Sequence, residues 1–266
     1  MTDRIRQVSV SASAVLAVVG ALLGSGALGG PGVPAASGGA FASDATPIAP
    51  GGPAFSIWSV IYLGLIAYTV WQWLPRQTTA ARHRQTGYPI ALSMILNAGW
   101  LLAVRASVLW LTLVVIVALL AVLVVVFTRL LRTQRSSVID AVVTDGTIGL
   151  YLGWVVVATT ANAAAVLAAT GWGETVSAPD AWAVGVLAVA GVVGVALAVW
   201  SRGRLALGAA LCWGLTWVGV ARLTGDLVSG PAAVAAISSA AAVLVATAVA
   251  RFMAGNRPER ALQREA

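Results

Sequence analysis

Long apolar stretches alternate with short polar connections along almost the whole chain. Eight of them are long enough for a membrane helix, because a hydrocarbon core about 30 Å thick is crossed by about 20 apolar residues. The pattern therefore predicts an all-α integral membrane protein. The predicted spans are residues 8–30, 54–74, 88–104, 107–127, 146–170, 181–200, 205–221 and 231–251.

The arginines fall in alternate connections between these spans. If the N-terminus is cytoplasmic, fourteen of the sixteen arginines face the cytoplasm, and only Arg105 and Arg222 lie on the other side. An excess of basic residues on the cytoplasmic side sets the topology of membrane proteins. The distribution therefore predicts eight spans with both termini cytoplasmic.

The first apolar stretch has a second interpretation. Arg4 and Arg6 precede it, and Ala40-Phe41-Ala42 resembles the small-residue motif at which signal peptides are cleaved. However, the stretch is as long as a full span, and the motif lies well beyond its end. We therefore expect the first helix to be retained.

The composition limits the chemistry that the chain can perform. Hydrophobic residues make up 59% and charged residues 9%, and the net charge of +7 comes from arginines beside helix ends. This placement is typical of topology signals and of contacts with anionic lipids, and it argues against nucleic-acid binding. The chain has no lysine, which excludes lysine Schiff-base chemistry. His83 lies between arginines of a predicted loop, where we expect a solvated side chain.

Ionisable residues inside a span would indicate a catalytic or ion-coupled site. Asp140 and Asp145 lie just before the fifth span, and their spacing of five does not place them on one face of an α-helix. We identify no catalytic residue and no metal ligand. The sequence favours a binding protein over an enzyme and leaves that question open.

Aromatic and amide side chains are the remaining polar features of the spans. Asn97 and Trp100 lie one turn apart in the third span. An asparagine in a membrane needs a hydrogen-bond partner, which is generally on another helix. The pattern fits either contacts between helices or a pocket lined by amides and rings. On the fifth span, one helix face carries Trp154, Ala158, Ala161 and Asn162.

Three segments of the sequence resemble a known family. The second span reads FSIWSVIYLG, the third LNAGW and the fifth LYLGWVVVATTAN. In order and spacing they resemble the tryptophan-rich sensory protein family, also called the translocator protein or peripheral benzodiazepine receptor family. The similarity covers residues 8–172. The last three spans resemble the extension of longer bacterial relatives, which implies a multi-pass protein of a bacterial-type cell membrane.

The resemblance implies a five-helix ligand-binding bundle over residues 1–172, with residues 31–53 as an extracytoplasmic lid. Residues 173–266 would form a three-helix extension with a basic cytoplasmic tail. The family has a tryptophan before its second helix, where this chain has Phe55, which argues against degradative activity. The implied ligand-binding residues are Phe55, Trp58, Tyr62, Asn97, Trp100, Tyr151, Trp154, Ala158, Ala161 and Asn162.

Together these features predict a membrane protein that binds a tetrapyrrole or a similar hydrophobic ring and acts as a sensor or carrier. No cofactor is required, and a porphyrin-type ligand is expected. The expected partners are a porphyrin or sterol-like molecule and membrane lipids; nucleic acid is not expected, and a homodimer is left open. The alternatives are an exporter of small lipophilic compounds and, less favoured, a membrane lipid hydrolase.

Overall fold

The computed structural model describes residues 2–24, 26, 29, 32–171 and 179–255. Within these ranges no strand occurs, and eight helices are long and apolar enough to cross a membrane, which confirms the predicted all-α architecture. The basic tail and the predicted boundary at residues 172 and 173 lie outside the described residues, so the division into two units stays a prediction. The helices are α1 Thr2–Gly24, α2 Ile57–Trp71, α3 Ala81–Arg105, α4 Leu109–Arg132, α5 Thr147–Ala169, α6 Pro179–Trp200, α7 Leu205–Thr224 and α8 Gly230–Gly255.

The first helix begins earlier in the chain than the apolar pattern predicts. It runs over Thr2–Gly24, whereas the predicted span was 8–30. Arg6 and Gln7 are buried, and their side chains donate hydrogen bonds to Thr78 O at 2.9 Å and to Gln72 O at 2.7 Å. Buried polar groups are stable when they have such partners. The helix therefore includes buried polar residues that hydropathy alone excludes from the span.

The approach to α5 departs from α-helical geometry. A short helix, Val138–Asp140, is followed by a π-helical turn over Ala141–Gly146 that continues into α5. A π-turn hydrogen-bonds residues five apart, so residues with that spacing lie on the same side of it. Asp140 and Asp145 consequently both pair with Arg82. The expectation that these carboxylates lie on different faces was wrong for this reason.

The order of helix contacts shows how the last three helices join the rest. α3 packs between α1 and α4, and α5 packs between α4 and α7. α2 contacts both α1 and α5. α7 packs in turn on α8, and α8 packs on α6. The extension is thus attached mainly through the contact of α7 with α5.

Small residues allow α5 and α7 to approach closely. A Cβ atom on Gly153 would lie 2.6 Å from Leu207 O and 2.8 Å from the Cβ atom of Ala210. On the opposite helix, Gly214 lies in the same way against Val157. Small residues are the usual means of bringing membrane helices together.

Replacement of Gly153 by alanine should weaken this contact. The added methyl group meets a backbone oxygen that cannot move aside, so we expect Gly153→Ala to destabilise the protein by about 1–3 kcal/mol. Thermal unfolding in detergent measures the effect. Gly185→Ala is the matched control, because a Cβ atom on Gly185 of α6 meets nothing within 4 Å. Equal melting temperatures for the two variants would contradict the prediction.

Candidate ligand-binding site

A small enclosed cavity lies where the connection between α1 and α2 folds over the bundle, an end that we call the lid end. Its volume is about 40 Å³. Side chains of α4, among them Ile116 and Leu119, form part of its wall. Eight of the ten residues predicted to bind ligand line this cavity: Phe55, Trp58, Asn97, Trp100, Trp154, Ala158, Ala161 and Asn162.

The other two predicted residues, Tyr62 and Tyr151, lie beside the cavity and contact its lining. The hydroxyl oxygen of Tyr62 accepts a hydrogen bond from Asn97 Nδ2 at 2.6 Å, and that of Tyr151 donates to Ser93 O at 3.1 Å. Their ring centroids lie 5.6 and 5.8 Å from that of Trp58. These are favourable aromatic distances, so both tyrosines hold Trp58 in place.

Asn162 connects three helices. Its Oδ1 accepts a hydrogen bond from Trp100 Nε1 at 3.1 Å, and its Nδ2 donates to Thr112 Oγ1 at 2.9 Å. The Thr112 hydroxyl donates in turn to Leu109 O at 2.6 Å. Asn162 and Asn97 therefore both bridge helices and line the cavity, so the two interpretations of these residues apply together.

Two fully buried side-chain atoms of the cavity lining have no hydrogen-bond partner within the described residues. They are Trp154 Nε1 and Thr46 Oγ1, and both side chains are buried. The Trp154 ring is otherwise packed edge-on against Phe55 and Trp58, with centroids 5.7 and 6.3 Å apart. A buried donor without a partner is destabilising by about 1–3 kcal/mol. These two atoms are therefore hydrogen-bonding groups that the cavity offers to a bound molecule.

The connection before α2 forms the roof of the cavity. Phe41 packs edge-on against Trp100 with ring centroids 6.0 Å apart, and the Ser37 hydroxyl donates to Val104 O at 2.7 Å. The described part of the predicted lid thus lies over the predicted site. The roof residues that line the cavity are Val33, Ala40, Phe41, Thr46, Ala49 and Pro50.

Helix α7 holds this roof from the outside. The buried guanidinium of Arg222 donates to Thr46 O at 3.1 Å and also to Ser43 O. Trp213 Nε1 donates to Ala54 O at 2.9 Å, and Gly51 N donates to Trp217 O at 3.1 Å. Sequence reasoning missed these residues of α7. The one signal for them was Arg222 itself, one of the two arginines on the predicted extracytoplasmic side.

A larger groove lies beside the cavity, between α1 and α2. Its volume is about 460 Å³, and it is lined by Val18 and Ala21 of α1 and by Tyr62 of α2. Phe55 and Trp58 line both this groove and the cavity. These two side chains therefore stand between the enclosed cavity and the groove.

His83 does not have the predicted environment. It lies in the first turns of α3 and is fully buried, with Nε2 at 3.1 Å from Gln77 Oε1 and its ring 5.6 Å from that of Tyr68. The expectation of a solvated loop histidine was wrong, because α3 begins at Ala81 and this turn packs inside the protein. Among the residues that the structure describes, no group of three His, Cys, Asp or Glu side chains could hold a metal ion.

These features define a polytopic membrane protein with an aromatic-lined, lidded cavity in its helix bundle. The family model for TSPO-like proteins matches residues 8–250, and the chain therefore belongs to this family. The match extends beyond residue 172 over all three helices of the extension. No curated protein and no solved structure matches the chain. Membership confirms the predicted family and the multi-pass membrane location, and it supports the general class of membrane proteins that bind tetrapyrroles or sterols.

Loss of the Arg222 side chain should loosen the roof of the cavity. Two backbone carbonyls would lose their donor, so we expect Arg222→Gln to increase amide hydrogen exchange over residues 40–51. Arg105→Gln is the matched control, because Arg105 donates to Leu23 O at the end of α1 and to Gly29 O at the start of the connection, away from residues 40–51. Exchange over 40–51 that is unchanged in Arg222→Gln, or raised equally in both variants, would contradict the prediction.

Proposed function

We propose that the protein binds a tetrapyrrole or a hydrophobic ring of similar size at the lid end, and acts as a sensor or carrier of that ligand. The observation that carries the proposal is the convergence of indole and amide side chains from α2, α3 and α5 on one cavity. Ligand sites of this type have apolar walls and a few placed polar groups. A flat, amphipathic ring matches that combination.

The cavity residues divide into two roles in this proposal. Trp58, Trp100 and Trp154 supply the aromatic surfaces on which a planar ring packs. Trp154 Nε1 and Thr46 Oγ1, which lack partners within the described residues, supply the hydrogen bonds. Asn97 and Asn162 already bond to neighbouring helices, so they position the aromatic walls.

Binding of a ring requires the roof to move. Pockets that hold such ligands enclose about 300–1,000 Å³, far more than the 40 Å³ of the enclosed cavity. The groove between α1 and α2 offers both the additional space and a path from the membrane. A ligand dissolved in the bilayer would reach the cavity when Phe55 and Trp58 turn aside and the roof lifts from α3. Arg222 of α7 opposes that movement, so in this proposal the extension controls access.

The carboxylates that could support hydrolysis are engaged elsewhere. Arg82 donates to Asp140 Oδ2 at 3.1 Å and also pairs with Asp145. Both acids precede α5, at the end of the bundle opposite the roof. Their pairing with arginine favours a structural role over acid–base catalysis, which supports binding as the function.

Titration with protoporphyrin, followed by tryptophan fluorescence, tests the site. Trp154→Leu removes an aromatic wall and a free donor, so we expect its affinity to fall by tenfold or more, which corresponds to about 1.4 kcal/mol. Trp200→Leu is the control, since Trp200 contacts Phe127 and does not line the cavity. Equal affinities of the wild-type protein and Trp154→Leu would contradict the proposed site.

The Thr46 hydroxyl allows a sharper test, because Thr46→Val removes only that group and keeps the shape of the side chain. We expect Thr46→Val to weaken binding of protoporphyrin severalfold. It should have less effect on binding of protoporphyrin dimethyl ester, because the two carboxylates of the ligand, which would accept a hydrogen bond from Thr46, are esterified there. An equal effect on both ligands would show that Thr46 does not bond to the carboxylates.

Flux through vesicles separates the sensor from the carrier. A carrier moves protoporphyrin across a vesicle membrane at a rate that rises when Arg222→Gln loosens the roof. A sensor binds the ligand without increasing its flux. Flux that is abolished by changes in α8 but indifferent to Trp154→Leu would favour an exporter instead.

A further inference from the structure

A second groove lies at the opposite end of the bundle, which we call the basic end and which carries Arg82, Arg135, Arg204 and Arg251. The groove has a volume of about 570 Å³. It runs between α2 and the π-turn on one side and the start of α7 with the end of α8 on the other. It shares no lining residue with the cavity or with the groove at the lid end.

The groove has an excess of positive charge. Three arginines and one carboxylate line it, which leaves two positive charges in excess. Arg135 Nε and Arg204 Nη1 donate to Asp145 Oδ2 at 2.5 and 3.0 Å. The neighbouring Arg82 is balanced by Asp140 and does not change the excess.

Arg251 lines the groove and is not paired with an acidic side chain there. Its side chain is exposed and makes no hydrogen bond or ion pair with any residue that the structure describes. Its position is fixed by the backbone, because α8 packs so closely on Gly203 that a Cβ atom there would collide with the Arg251 main chain. The close approach places Arg251 beside Arg204, on the same rim of the groove.

The rest of the groove is apolar and has a narrow floor. Val60, Leu63, Val142 and Leu205 are between 54% and 68% exposed along its walls. Its floor includes Gly64, where α2 packs so closely on Thr147 of α5 that a Cβ atom would collide with it. From Ala67 to Val60 the walls extend by about 10 Å along α2, at about 1.5 Å per residue. The arginines at the rim match the phosphate of a lipid, and the apolar walls of this length match the upper part of an acyl chain.

We propose that this groove binds one anionic phospholipid, with its phosphodiester at Arg135, Arg204 and Arg251 and an acyl chain along α2. Basic pockets between membrane helices bind anionic head groups in this way. A zwitterionic lipid fits less well, since its ammonium group would lie against the excess of positive charge. The lipid would lie between α2 and the π-turn on one side and α7 and α8 of the extension on the other, so it would stabilise their contact. This inference is independent of the ligand at the lid end.

Native mass spectrometry of the full-length protein, titrated with phosphatidylglycerol or phosphatidylcholine in detergent, tests the proposal. The wild-type protein should retain phosphatidylglycerol preferentially. Arg251→Gln should reduce that preference about fivefold, the effect expected for one arginine near an anionic surface. Arg251→Lys keeps the charge and should retain most of the preference. Arg76→Gln is the matched control, because Arg76 is an exposed arginine outside the groove.

Equal lipid preference in Arg251→Gln and Arg76→Gln would overturn the proposal, as would equal retention of the two lipids by the wild-type protein. A photoreactive phosphatidylglycerol with the reactive group high on one acyl chain gives a second readout. Labelling of peptides that contain Leu63 or Val142 would support the site. Labelling confined to other helices would overturn it, even if Arg251→Gln weakened binding. Melting temperatures measured without added lipid show that the variants are folded.

Discussion

The pairing of buried charge within the protein is the interaction on which the basic end depends. Asp145 accepts hydrogen bonds from Arg82, Arg135 and Arg204, which belong to α3, to the connection after α4 and to the connection before α7. An unpaired carboxylate at this depth would be very costly, and removal of one partner from a buried pair is strongly destabilising. The acid therefore fixes three separate segments relative to α5. The π-turn belongs to the same arrangement, because it lets Asp140 pair with Nη1 of Arg82 while Asp145 pairs with Nη2.

Buried polar groups also need partners at the lid end, where the groups concerned belong to the backbone. A connection can lie inside a membrane protein only where its polar groups find partners or line a cavity. The Arg222 guanidinium supplies donors to two carbonyls of the roof, and Trp217 supplies an acceptor for a third position. α7 is thus attached at both ends, through Arg204 to the acid cluster and through Arg222 to the roof. The extension is in this way part of the enclosure of the cavity.

The cavity combines side chains that are fixed with side chains that are not. Trp100, Asn162 and Thr112 form a continuous chain of hydrogen bonds that ends at Leu109 O, so the wall formed by Trp100 and Asn162 is fixed. Phe55 and Trp58 make ring contacts only through packing, and they stand between the cavity and the groove that faces the membrane. Packing contacts can be exchanged for contacts with another ring at small net cost. A ligand-binding function of the proposed kind needs this division between fixed and replaceable walls.

The number of helices, their approximate bounds and the family were predictable from the sequence, because apolar length, flanking charge and short motifs are local properties of the chain. The family motifs also indicated eight of the seventeen residues that line the cavity. The start of α1, the π-turn and the burial of His83 were not predictable, since each depends on partners from other helices. The role of α7 shows the reason most clearly: Arg222 and Thr46 are 176 positions apart, and only the packing of α7 on α5 brings them into contact.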